Sequence, residues 1–195
     1  MKKILLISGT LFLVFGVVAL SNATFFDVAG DPLSSVEFTN MTIDWGSTSA
    51  RASIVEDLDD ENFSLSEGQS YTFDFFEVTV DGLGRGSADV TATLAFDEPN
   101  ESASAGGSGD WFTIGARFSG GILTWGDQPD PILLPGGEMI GIEFSAVHEL
   151  GFGNSAIVTA TVKNIASVPE PPTMLLLGSG LIGLSGFVRR RHKRS

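Results

Sequence analysis

Apolar and polar positions alternate with a period of two along most of residues 24–167, the spacing of a strand with one face buried. Tyr71-Thr72-Phe73-Asp74-Phe75 alternates aromatic with polar side chains, and Val78-Thr79-Val80 follows. Residues 89–96 repeat the pattern, and 140–147 place Ile140, Ile142, Phe144 and Ala146 on one face. Residues 111–118 and 121–125 are aromatic-rich, 156–162 are β-branched and Thr-rich, and 36–45 and 51–55 are earlier strand candidates. No ten-residue amphipathic helix interrupts them.

Gly and Pro punctuate these runs. Asp81-Gly82-Leu83-Gly84-Arg85-Gly86 predicts a hairpin turn, 98–110 a Gly/Ser-rich loop and Gly120-Gly121 a tight turn. Asp127-Gln128-Pro129-Asp130-Pro131 and Pro135-Gly136-Gly137 bracket a short irregular segment. Many short strands with such turns predict an all-β domain, an antiparallel β-sandwich that is jelly-roll-like or immunoglobulin-like. No internal repeat supports a solenoid.

Both ends depart from this alternation. Met1-Lys2-Lys3, an apolar run over 4–20 and Ser21-Asn22-Ala23 form a secretory leader. Its small residues at Ser21 and Ala23 suit signal peptidase, with cleavage after Ala23. At the other end, Val168-Pro169-Glu170-Pro171-Pro172 is an extended segment, because its three prolines fix φ and remove backbone donors. An apolar stretch over 173–188 follows, somewhat shorter than the roughly 20 residues of a usual spanning helix. Arg189, Arg190, Arg191, Lys193 and Arg194 then form a stop-transfer cluster that stays cytoplasmic by the positive-inside rule. The expected organisation is a leader over 1–23, an exported β-domain over 24–167 and a sorting tail over 168–195. A signal helix and a C-terminal transmembrane helix flank the domain.

These three tail parts, in this order, resemble the PEP-CTERM sorting domain. The resemblance implies processing by an exosortase, a membrane-embedded enzyme that acts at or near Val168-Pro169-Glu170-Pro171. It also implies a precursor parked in the inner membrane and a mature protein at the cell surface or in an exopolysaccharide matrix. It says nothing of residues 24–167, because this tail is joined to many unrelated domains.

Charge narrows the domain's partners. Residues 24–167 hold 23 acids against four cations (Arg51, Arg85, Arg117 and Lys163), a net charge of −19. Nucleic-acid binding, which needs cations to neutralise phosphates, is excluded on this ground. The chain has no cysteine, so its core must hold it without disulfides.

Candidate chemistry is sparse. Asp57, Asp59 and Glu61 alternate in the densest acidic cluster and present hard oxygens suited to Ca²⁺. The cluster lacks the glycine and the terminal acid of an EF-hand loop; the alternative is a solvated acidic loop. His148-Glu149 lacks the second histidine of a zinc protease, since Phe152 stands there. Trp45, Trp111 and Trp125 are candidates for stacking on sugar rings, with core packing as the alternative. No catalytic residue stands out, and the chain is not expected to be an enzyme. Three roles remain for the domain: a structural or interaction protein, a glycan-binding module, with Ca²⁺ or without, and a glycoside hydrolase using two facing carboxylates.

Overall fold

A computed structural model describes residues 23–114, 119–151 and 154–165. The leader through Asn22, Arg117, Phe118, Phe152, the Pro-Glu-Pro segment, the apolar stretch of the tail and its basic end lie outside the described residues. Among those described, no helix is long and apolar enough to cross a membrane.

Among the described residues ten strands, all paired antiparallel, run in chain order as β1 (Thr24–Ala29), β2 (Ser35–Ile54), β3 (Asn62–Leu65), β4 (Ser70–Glu98), β5 (Glu101–Thr113), β6 (Ser119–Trp125), β7 (Ile132–Leu133), β8 (Met139–Phe144), β9 (Val147–Gly151) and β10 (Ser155–Ile165). The all-β antiparallel expectation holds. The strands form one continuous curled sheet, ordered β7-β8-β10-β4-β5-β6-β9, with β2 and β1 on the second edge of β4 and β3 beyond β1.

β4 is the spine. Its first part, 70–79, pairs with β10, and its later part, 84–96, pairs with β5, so the sheet divides into two wings across residues 80–83. The second edge of β4 pairs with β2 from Phe76 to Thr93 and then with β1 from Ala95 to Glu98. The division is built from glycine. Gly46, Gly82 and Gly84 have φ of +84°, +94° and +151°. A Cβ on each would lie 2.2 Å from the carbonyl oxygen of Leu83, 2.1 Å from that of Ser47 and 2.2 Å from that of Trp45, respectively. Only glycine lets β2 and β4 approach this closely and bend together.

Three turn assignments are corrected here. The 81–86 segment lies inside β4, 101–110 lies inside β5, and Gly120-Gly121 lies inside β6. Their small residues serve neighbouring rings. A Cβ on Gly86 would come 2.7 Å from Cζ2 of Trp111, and one on Gly107 would come 3.0 Å from Cε3 of Trp125. Glycine under an aromatic ring has the same composition as a loop, so local pattern misreads it.

The core fills the space between the wings. Phe75 and Phe76, adjacent in sequence, are both fully buried. A register shift opposite Val158 and Thr159 places a bulge at Phe75, so the inward positions change from odd (Phe73, Phe75) to even (Phe76, Val78, Val80). Phe75 stacks on Phe144 of β8, and Trp125 of β6 packs against both Phe76 and Phe144, joining the wings. A second aromatic chain, Phe26-Phe63-Tyr71-Phe73, links β1, β3 and β4. Outside, the Thr and Ser residues pair across strands: Thr93 with Ser104 at 2.8 Å, Thr72 with Thr161 at 2.8 Å and Ser108 with Thr124 at 3.4 Å. That explains the hydroxyl-rich composition of the strands.

Candidate functional site

The outer face of the β2–β4–β5–β6–β9 wing carries most of the exposed chemistry. One row across it runs Trp45, Arg85, Phe112 and Gly120, each opposite the next. The neighbouring row runs Thr42, Ser87, Asp110, Ile122 and His148. Trp45 is 53% exposed, and Leu83, Ile114 and Ile122 are exposed as well. Arg85 Nε lies 3.3 Å from Asp44 Oδ2. Both side chains are about half in solvent, so this pair orients Arg85 more than it stabilises the fold. Arg85, Asp110, Phe112, Ile122 and His148 line a shallow groove over Gly120 and Gly121. Periodicity marked Trp45 but gave no sign of Arg85 beside it, because their pairing needs the β2–β4 register.

The other two tryptophans are corrected. Trp111 is only 5% exposed and points inward, where its indole N–H donates to Thr48 Oγ1 at 3.2 Å. Trp125 is held between Phe76 and Phe144, and its N–H donates to the Ser145 carbonyl at 3.0 Å. Each ring satisfies its polar edge inside the protein, as buried indoles do. Trp111 offers no face to a sugar, and Trp125 is partly buried against the core.

The proposed Ca²⁺ ligands are also corrected. Among the described residues no group of three or more acidic, His or Cys side chains is placed to hold a metal. Asp57 precedes a short 3₁₀ turn over Leu58–Asp60, whose tight winding sends alternate side chains in different directions. Asp59 Oδ1 accepts the Gly30 backbone N–H at 3.0 Å, and Glu61 Oε2 accepts the Tyr71 hydroxyl at 3.2 Å. That hydroxyl bond, with the Glu61 charge and then slight burial, raises the Tyr71 pKa above its ordinary value. Asp59 instead joins Asp31, Glu37 and Glu56 along an acidic groove beside β2.

An apolar cavity of about 350 Å³ opens between the wings near their division. Phe38, Val80, Trp111, Leu123 and Val147 are among its walls, and its described lining contains a single carboxylate, Asp110.

The two ends of the described domain meet. The side-chain amide of Asn164, 2% exposed, donates to the Leu65 carbonyl at 3.0 Å and to Thr24 Oγ1 at 3.3 Å. The Thr24 hydroxyl donates to Glu138 Oε2 at 2.5 Å. These partners lie 140 and 114 residues apart along the chain, a separation at which no local pattern signals contact.

Residues 167–191 match the model of the PEP-CTERM protein-sorting motif. The match begins one residue before the expected tail and includes Val168, Pro169, Glu170, Pro171, the apolar stretch and the first three arginines. No curated protein and no solved structure matches the chain.

Proposed function

We propose, from the PEP-CTERM motif at residues 167–191, a path from leader to surface for this exported protein. Signal peptidase removes the leader after Ala23. The tail holds the precursor as a single pass in the inner membrane, with the β-domain outside and Arg189 to Arg194 inside. An exosortase then acts at Val168-Pro169-Glu170-Pro171, and the domain reaches the cell surface or the exopolysaccharide matrix. There it has a structural, non-enzymatic role, its two wings facing each other as the layers of a sandwich. The motif is the observation that carries this reading. The hydroxyl-covered outer strands, the net charge of −19 over residues 24–167 and the absence of cysteine support the structural role.

The test is the intact mass of the protein from cells and from medium. The expected mass begins at Thr24 and ends between Val168 and Pro171. Glu170→Ala and Pro171→Ala are expected to leave the full-length tail in the membrane fraction, and deletion of 189–194 to weaken membrane retention. A native mass that still includes Ser195 would sink exosortase processing for this chain.

A second reading rests on Trp45 alone among the tryptophans. Its exposed ring beside Arg85 and Asp44 combines a stacking face with hydrogen-bonding groups, the pairing a glycan needs. Co-sedimentation with host exopolysaccharide, lost in Trp45→Ala, is the expected result. Equal co-sedimentation of the variant would remove this reading.

A further inference from the structure

We infer that removal of the leader completes a polar junction at the end of the core: the new α-ammonium of Thr24 pairs with the Glu138 carboxylate, which ties the first strand to the turn that leads into β8. This rests on the reading of cleavage after Ala23.

Thr24 is the first residue of β1, paired with Leu65 of β3. Its hydroxyl already spans the junction, donating to Glu138 and accepting from Asn164. Glu138 is positioned by the turn before β8, where the Leu134 N–H donates to its carbonyl at 2.9 Å. Asn164 is held by its own backbone as well: its N–H donates to the Gln69 carbonyl at 3.0 Å, and its carbonyl accepts from Gly68 at 2.8 Å. It faces Ile140 of β8 in register. All three side chains therefore close one end of the sheet on fixed backbone.

While the leader is attached, the Thr24 nitrogen is a neutral amide. After cleavage it becomes an ammonium with a full charge. A threonine nitrogen lies within about 4 Å of its own Oγ1, so it lies within roughly 6 Å of the Glu138 oxygen that the hydroxyl contacts. Opposite charges at that range in a partly buried site attract appreciably. Asn164, near the end of β10, is fixed to the same threonine.

The test is a double-mutant cycle on the full chain in membranes. One axis is Glu138→Gln; the other is retention of the leader by Ser21→Leu with Ala23→Leu. The readout is the temperature at which the domain loses protease resistance, with intact mass as the control on where the chain begins. Glu138→Gln is expected to lower that temperature by about 2–4 °C more in the leader-cleaved chain than in the leader-retained one. Equal shifts in both backgrounds would overturn the inference, because the hydroxyl bond to Glu138 would then account for the whole effect. A wild-type mass that does not begin at Thr24 would overturn the cleavage premise, whatever the melting data show. Asn164→Asp serves as a second probe: it removes the side-chain donors to Thr24 and Leu65 and sets a further carboxylate beside the ammonium. It is expected to be tolerated better in the leader-cleaved chain. Poorer tolerance there would count against an ammonium at this junction.

Discussion

The aromatic end of the domain and the dividing region of its sheet are held together by opposite means. At the aromatic end, Phe26, Phe63, Phe73, Phe75, Phe76 and Phe144 fill the space between strands with rings. At the division, Gly46, Gly82 and Gly84 bring backbone against backbone with no side chain between, and the nearby buried interior is Ala50, Val80, Ala88 and Trp111, with Phe38 packed against them. One region depends on apolar area removed from water, the other on the absence of Cβ atoms. A curled sheet needs both. The rings give the wings a reason to face each other, and the glycines allow one strand to serve both wings.

The sharpest way to separate the two is to damage each with one substitution. Phe76→Ala removes a fully buried ring that touches Phe75 and Trp125, and is expected to cost about 3–5 kcal/mol in denaturant unfolding of the mature protein. A cost under about 1 kcal/mol would mean that the wings do not depend on this packing.

Gly82→Ala adds only a methyl, but at φ +94° and 2.1 Å from the Ser47 carbonyl oxygen. The expected cost is about 2–4 kcal/mol. Gly68→Ala separates the two contributions, since Gly68 has φ +81° but nothing within 4 Å of an added Cβ. It is expected to cost about 1 kcal/mol, the conformational share alone. Equal costs at the two sites would show that close approach contributes nothing at the division.

The smallest expected effect lies at the rim of the aromatic end. Tyr71 is the only tyrosine in the chain, so tyrosinate absorbance reports it directly. Its ionisation midpoint is expected above the ordinary value of about 10, and Glu61→Gln is expected to bring it down. Because the folded value is raised, the associated stability is fully present below the unfolded value and is lost as pH rises through the folded one. An unchanged midpoint in Glu61→Gln would assign the shift to burial rather than to Glu61.

How far the sequence could be read varied with the range of the interactions involved. Alternation marked β8 and the two parts of β4, read as separate strands, because a half-buried strand needs a period of two, and aromatic and β-branched content marked β6 and β10. It missed β1 and β3, which are short and flank the acidic turn. It also misread the glycine-rich segments. Gly106 and Gly107 look like a loop until β4 and β6 are seen on either side of them. The candidate sites divided in the same way. Trp45, Trp111 and Trp125 are alike in sequence, each beside a strand end or a glycine. Only the direction of each strand face decides that one is exposed and two are packed.

The sequence by itself determined what local chemistry determines. Strand periodicity made the domain all-β. Two lysines before an apolar run carry the expectation of a leader. Three prolines, an apolar stretch and a basic cluster in order match a sorting motif. A strongly acidic domain without cysteine followed from counting. Only the tertiary structure decided which glycines bend the sheet, which tryptophan faces solvent, that Asp57, Asp59 and Glu61 do not converge, and that Thr24 and Asn164 share a hydrogen bond. Each of those depends on register and curl between segments far apart in the chain, and a period of two specifies a face without specifying its neighbour.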